Sequence, residues 1–262
     1  LEGTIVAEWQ GSILVSIPTF GTIDMELFAN LQLMHVPIHR SIVWHLPRNL
    51  PIAEARTQAV ERALKDGCNH ILFRDYDVLA PPNALNVLMA RDVDVICAPY
   101  LSKQKPPWPL IIKDKAPTWA WKRGEVVKCD RIGMGCTLIK TELFERLPKP
   151  WFQTSHKEHT ELGINAPAVQ SYTEDIFFCE RLYEELGIRP YADTSVFCVH
   201  LDLNTRERFL YDPEHHMGTW VTPDGATCAV PPVASDICNT NDQSTPGIID
   251  LTKESEKECE SL

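Results

Sequence analysis

The chain has 262 residues, 44% of them hydrophobic, enough to bury the core of one large α/β domain or two small ones. Twenty prolines outnumber twelve glycines without any repeating period, which excludes a collagen or polyproline fibre. With 25 basic against 36 acidic residues the net charge is −11, which argues against a nucleic acid polymer or an anionic membrane surface as partner; an anionic ligand would need a local cation.

No apolar run reaches the roughly 18–20 residues needed to cross a bilayer, and LEGTIVAEWQ lacks the basic and apolar regions of a signal peptide. A soluble, cytoplasmic chain is expected, although it starts at Leu1 and an anchor or signal could have preceded it. The nine cysteines form no CxxC pair and no Cys/His zinc spacing. Most sit in apolar stretches (VICAPY, GCTLIK, IFFCERL, VFCVH) and read as reduced core thiols, as in a reducing compartment. Cys228, Cys238 and Cys259 are the exceptions, and any disulfide is expected among them.

From the N-terminal end, Gly11 to Pro18 is an apolar, β-branched run that predicts a buried strand. Asp24 is placed to cap a helix to about Met34, with Met25, Phe28, Leu31 and Leu33 as its apolar positions. Arg40 to His45 predicts a second strand. After a proline-bounded loop, Ile52 to Lys65 predicts a helix, with Pro51 in its first turn and Gly67 at its end. A third strand, His70 to Arg74, opens into Asp75-Tyr76-Asp77. Pro81-Pro82 start a helix to about Ala90, and Val93 to Ala98 is the fourth strand. Strands alternating with helices imply a mostly parallel sheet with helices on both faces, and ligands of such sheets gather at the carboxyl ends of the strands.

Beyond Tyr100 the rhythm changes to loops and antiparallel strands rich in proline and tryptophan, ending at Gly133-Met-Gly-Cys-Thr-Leu-Ile-Lys140. Thr141 to Arg146 predicts a short helix, Leu147 to Phe152 a bend, and Gln153 to Ser171 a polar loop holding His156 and His159. Thr173 caps a helix from Glu174 to Leu186 closed by Gly187, and Thr194 to His200 is the last predicted strand. Residues 203–262 read as an irregular tail or lid with an acidic end.

Asp75 and Asp77, at a strand end, offer two carboxylates for a hard divalent cation that leaves positions open for phosphate oxygens. Such a pair can also simply cap the next helix. Glu174 and Asp175 fit the first turn of a helix for dipole reasons alone, and His200 closes an apolar strand.

In order, the strand ending Pro18-Thr19, the helix bearing Ala55-Arg56, ILFRDYD, GMGCTLIK, WF, TEDIFFCERL and VFCVH resemble the GT-A glycosyltransferases, most closely their family 2-like group, over about residues 12–202. The resemblance implies an α/β GT-A (Rossmann-like) fold with a nucleotide-sugar half over about 12–100 and an antiparallel acceptor half over 101–202. It implies a hexosyltransferase-like enzyme, inverting or retaining, that moves a sugar from a nucleoside diphosphate to an acceptor hydroxyl with Mn²⁺ or Mg²⁺. By the same resemblance, Asp77 and His200 ligate the metal, and Asp75 contacts the ribose or the metal through water. Pro18 and Thr19 border the base, Arg56 faces the donor, and Asp175 is the base with Glu174 beside it.

Two departures from the family pattern bear on the base: PTFGTIDMEL replaces a polar start to the first helix, and IVWHLPRN lacks an acidic residue suited to uracil. Arg56 has an alternative as a surface partner of Glu61 or Asp66. Gly133 and Gly135 are expected to allow close approach of donor sugar or acceptor, or to mark a bulge. Trp108, Trp119, Trp121 and Trp151 either anchor loops or face the acceptor, with Trp151 the leading acceptor candidate. His215-His216 reads as a solvated pair or a lid contact. A sugar-nucleotide nucleotidyltransferase, or a noncatalytic protein of the same fold that binds sugar nucleotides or glycans, are the alternatives; the first lacks its glycine-rich basic phosphate loop.

Overall fold

The structure, a computed structural model, describes residues 11–156, 171–229 and 249–250. In chain order the first half comprises β1 (Ser12–Ser16), α1 (Met25–Gln32), β2 (Ser41–His45), α2 (Ile52–Asp66), β3 (His70–Arg74), β4 (Val78–Leu79), α3 (Ala84–Ala90) and β5 (Val95–Cys97). There follow β6 (Ile111–Lys113), β7 (Ala116–Pro117), β8 (Val126–Lys128), β9 (Arg131–Ile132), β10 (Cys136–Lys140), α4 (Leu143–Arg146), β11 (Ser155–His156) and β12 (Ser171–Tyr172). The chain continues with α5 (Glu174–Leu186), β13 (Tyr191–Asp193), β14 (Val199–Leu201), β15 (Arg208–Asp212), β16 (Met217–Val221), β17 (Thr227–Ala229) and β18 (Ile249–Asp250).

The central sheet has seven strands in the order β2-β1-β3-β10-β5-β13-β8. β1 pairs in parallel with β2 and β3, and β13 in parallel with β5; β10 runs antiparallel between β3 and β5, and β8 antiparallel at the edge. This is the α/β architecture expected, a mixed, mostly parallel central sheet accompanied by antiparallel ones.

Side-chain alternation along the strands builds a core on each face. Leu14, Ile71 and Phe73 pack with Ala59, Val60 and Ala63 of α2, Leu143 and Phe144 of α4, and Phe178 and Leu182 of α5. Ile13, Val15 and Leu72 point the other way, onto Leu27 of α1 and Ala84, Leu85 and Leu88 of α3. The alanines of α2 let it approach the sheet closely, and Gly67 ends it at φ 68°, a left-handed conformation that costs a glycine little.

Several expectations are corrected. In α1 the buried residue is Leu27; Met25 is 75% exposed, and Phe28 and Leu33 are also exposed. Asp24 does cap the helix, accepting from the Glu26 N–H at 2.8 Å. α3 begins at Ala84, after the prolines and one turn. Of the strand expected over 194–200 only the end forms, as β14 (Val199–Leu201) in a six-stranded sheet of order β18-β17-β16-β15-β14-β4; the central-sheet strand β13 stops before it, at Asp193. That second sheet also corrects the irregular tail: residues 208–229 form antiparallel strands whose alternation is short and broken by turns, so their pairing partners rather than their own period fix them. Residues 230–248 and 251–262 of that tail lie outside the described residues, as do His159, Cys238 and Cys259. Cys68, Cys97, Cys129, Cys136, Cys179 and Cys198 are buried free thiols, and Cys228 is also free.

Among the described residues no helix is long and apolar enough to cross a membrane.

Candidate functional site

The carboxyl ends of β1, β2 and β3 open onto a cleft of about 670 Å³ bordered by Pro18, Thr19, Phe20, Tyr76, Asp75 and Asp77, with Arg56 and Glu174 in its wall. Alternation along β3 sends Arg74 toward α1, where its guanidinium donates to Asn30 Oδ1 and to the Val78 carbonyl. The next residue, Asp75, returns to the face covered by α2 and α5. There the α2 stripe of Ala55, Arg56, Ala59, Val60 and Ala63 contains its one charged member.

Arg56 Nη2 donates to Asp75 Oδ1 at 3.0 Å and its Nε to Glu174 Oε1 at 3.0 Å, while the guanidinium carbon lies 5.3 Å from the centre of the Phe73 ring. The Arg56 side chain is 3% exposed, that of Glu174 9% and that of Asp75 25%. Burial alone would lower the Arg56 pKa, but the two carboxylates outweigh it and hold the group above its usual value. Asp75 sits above the usual carboxylate range because burial outweighs the attraction of Arg56. Arg56 is therefore not a surface partner of Glu61 or Asp66, which pair with Lys149 and Arg62 instead. Its Nη1 has no hydrogen-bond partner among the described residues, a buried donor in the wall of the cleft.

The first turn of α5 carries Asp175 beside Glu174. Asp175 Oδ1 accepts from the Ile176 N–H at 2.8 Å and from the Thr173 hydroxyl. Burial, then the charge of Glu174, push its pKa up to about 6. Glu174 lines the cleft and Asp175 does not.

Asp77 and His200 lie far apart in the sequence yet meet where β14 pairs with β4: His200 pairs with Val78, and the Leu201 N–H donates to the Asp77 carbonyl at 2.8 Å. His200 Nδ1 lies 2.7 Å from the Leu101 carbonyl, which can only accept, so Nδ1 carries a hydrogen and Nε2 is the ring nitrogen that faces Asp77. The Nε2 to Asp77 Oδ2 distance is 3.5 Å. Burial would raise the Asp77 pKa, but His200 and Lys103 outweigh it and hold the carboxyl below its usual range. The Tyr100 ring meets the His200 ring edge to face at 5.0 Å.

A carboxylate oxygen and an imidazole nitrogen facing each other, with a carbonyl accepting from the other ring nitrogen, are a donor pair able to hold a divalent cation such as Mn²⁺. Among the described residues no three or more His, Cys, Asp and Glu groups converge on one point, so the remaining positions would fall to water or ligand oxygens.

The acceptor-side expectations change most. Trp151 is 5% exposed, packed edge to face on Phe144, with its Nε1 donating to the Leu147 carbonyl. The same apolar character that makes indole a sugar platform drives it into the core here. Gly133 and Gly135 admit Tyr100 rather than a ligand: a Cβ at either would come within 2.9 Å of the phenol ring carbon Cζ, and the Gly135 N–H donates to the Tyr100 hydroxyl at 3.0 Å. Trp121 is buried, and Trp119 and Tyr211 stack beside it. His216 is not solvated, since its ring nitrogens meet the Tyr211 hydroxyl and the Trp119 carbonyl; His215 pairs with Asp212. His156 lies in β11, and its side chain is not described.

Sequence reasoning missed Phe20, Tyr76 and Lys103. Phe20 is 74% exposed and meets Tyr76 edge to face at 5.9 Å on the cleft rim. Lys103 donates to Asp77 Oδ2 at 2.6 Å. Its signal was its place just past the carboxyl end of the fourth parallel strand.

No protein-family model matches the chain, and no curated protein matches it. Among solved structures, A197 from STIV is similar over 89% of this chain and 100% of its own, at 18% identity and a TM-score of 0.50. S. aureus TarS is similar over 71% of this chain and 36% of its own at 12% identity and a TM-score of 0.45, and TarS 1–349 over 71% and 59% at 12% and 0.40. The likeness to A197 is one of fold alone.

Proposed function

We propose that the chain is a metal-dependent glycosyltransferase that moves a sugar from a nucleoside diphosphate to an acceptor hydroxyl. The observation that carries this reading is the meeting of Asp77 and His200 Nε2 beside a cleft at the carboxyl ends of the parallel strands, with Asp175 the residue next to Glu174 of its wall. Asp77 and His200 hold the cation. A bound Mn²⁺ or Mg²⁺ supplies positive charge where the leaving diphosphate gains negative charge, and so offsets an acidic chain.

The protein's own groups do the rest. Pro18, Thr19 and Phe20 border the base end of the cleft, and Asp75, fixed by Arg56, faces the ribose. The unpartnered Nη1 of Arg56 is a donor for a donor-substrate oxygen. Asp175, with a pKa near 6, is ionised at neutral pH and basic enough to accept a proton from the acceptor hydroxyl in an inverting reaction; in a retaining one the same carboxylate binds the acceptor. Glu174 raises the basicity of Asp175 by its adjacent charge.

A thermal-shift screen of UDP, GDP, CDP and their sugars, with and without Mn²⁺, tests the reading, followed by donor hydrolysis with the hits. At least one nucleotide should raise the melting temperature in a Mn²⁺-dependent way, and both Asp77→Ala and His200→Ala should remove that rise. If no nucleotide stabilises the protein with metal, the reading fails.

A further inference from the structure

The Asp77 carboxylate already has a cation on it. Lys103 Nζ lies 2.6 Å from Oδ2, the same oxygen that faces His200 Nε2 at 3.5 Å, and the lysine side chain is 29% exposed while those of Asp77 and His200 are 16% and 14%. The contact is built into the fold. Lys103 rides on a loop closed by the Ser102 N–H to the Trp108 carbonyl at 2.8 Å, the Trp108 N–H to Ser102 Oγ at 3.2 Å and the Leu110 N–H to the Tyr100 carbonyl at 2.9 Å. Leu101, at the base of the loop, is buried and gives His200 its hydrogen-bond acceptor, so one short segment positions both the imidazole and the ammonium.

A divalent ion on Asp77 Oδ2 would stand within a few ångström of that ammonium, a like-charge contact in a partly desolvated place. The two cations therefore compete for one carboxylate. We propose that Lys103 is the resident cation of the Asp77–His200 pair: it neutralises Asp77 while the site lacks metal, and it sets the affinity for a divalent ion, which gains Oδ2 as the ammonium moves off. This rests on the reading of Asp77 and His200 as metal-holding residues. Lys103 acts here as a positioning residue that tunes the site.

Binding of Mn²⁺ alone, followed by the electron paramagnetic resonance signal of the free ion, tests this in the wild-type chain, in Lys103→Met, and in each with Asp77→Asn added. Losing a charge-assisted hydrogen bond that metal must otherwise break should tighten Mn²⁺ binding roughly ten- to a hundredfold in Lys103→Met, and Asp77→Asn should erase that gain. Should Lys103→Met fold poorly by circular dichroism, Lys103→Gln serves instead. Equal or weaker binding in the lysine variant, with Asp77→Asn still weakening the wild type, overturns the role of Lys103 and leaves the metal site standing. Binding that ignores Asp77 in every variant overturns both.

Discussion

Replacing Arg56 by methionine isolates the electrostatic centre of the site. The substitution keeps an apolar stem of similar length against Phe73 but strands the carboxylates of Asp75 and Glu174, each 3.0 Å from the lost guanidinium. Removing one partner from a buried ionic cluster costs about 3–5 kcal/mol, because the remaining charges stay desolvated without their counter-ion. At about 2–4 °C per kcal/mol for a chain of this size, the melting temperature should fall by about 6–20 °C. The loss should depend on pH with a definite sign. Burial already holds the Asp75 pKa above 3.8 against the pull of Arg56, and without Arg56 it rises further. Native Asp75 then keeps its proton in a window above pH 3.8 where the unfolded chain has released it, so the native state gains stability as pH falls through that window. Thermal melts of wild type and variant at pH 8 and pH 5, read by circular dichroism, should show a deficit that shrinks at pH 5. Arg62→Met is the control: that side chain is 51% exposed in its pair with Asp66, where solvent screens the interaction, and its loss should leave the melting temperature nearly unchanged. A fall of less than about 2 °C for Arg56→Met, or the same deficit at both pH values, would refute the account of a buried triad.

Two further outcomes follow from the geometry. If Asp175 accepts the acceptor proton, it works only when ionised, so transfer at pH 5 should run about tenfold below the plateau reached above its pKa of about 6; a rate profile flat down to pH 5 removes it as the base. Gly135→Ala should lower the melting temperature by about 2–12 °C, since its Cβ would press to 2.8 Å on the Tyr100 ring and on Val78. Unchanged melting would mean that Tyr100 shifts freely, contrary to its hydrogen bond with the Gly135 N–H.

The strand His70–Arg74 and the helix Glu174–Leu186 were legible to the residue, because an apolar run ending in charge and a Thr-Glu-Asp start closed by glycine are local signals that tertiary contacts had no reason to override. The same local reading put Met25 and Phe28 on the inner face of α1. It failed because helical spacing names a stripe but not which of its neighbours faces the sheet, and Leu27 faces it. Trp151, Gly133 and Gly135 share a different error. An aromatic ring or a glycine has the same composition whether its neighbour is a ligand or another side chain, and here the neighbours are Phe144 and Tyr100.

Length, charge and alternation were sufficient to determine an α/β chain with its carboxylates at strand ends, since period and capping act over a few residues. Only the tertiary structure decided that β10 enters the sheet in reverse and that residues 208–229 add strands beside β14. It also decided that Arg56 joins Asp75 to Glu174, 118 positions away along the chain from the arginine, and that Lys103 rests on Asp77. Such pairings are set by which loops the sheet order brings together at one edge, and nothing within a few residues of either partner encodes that order.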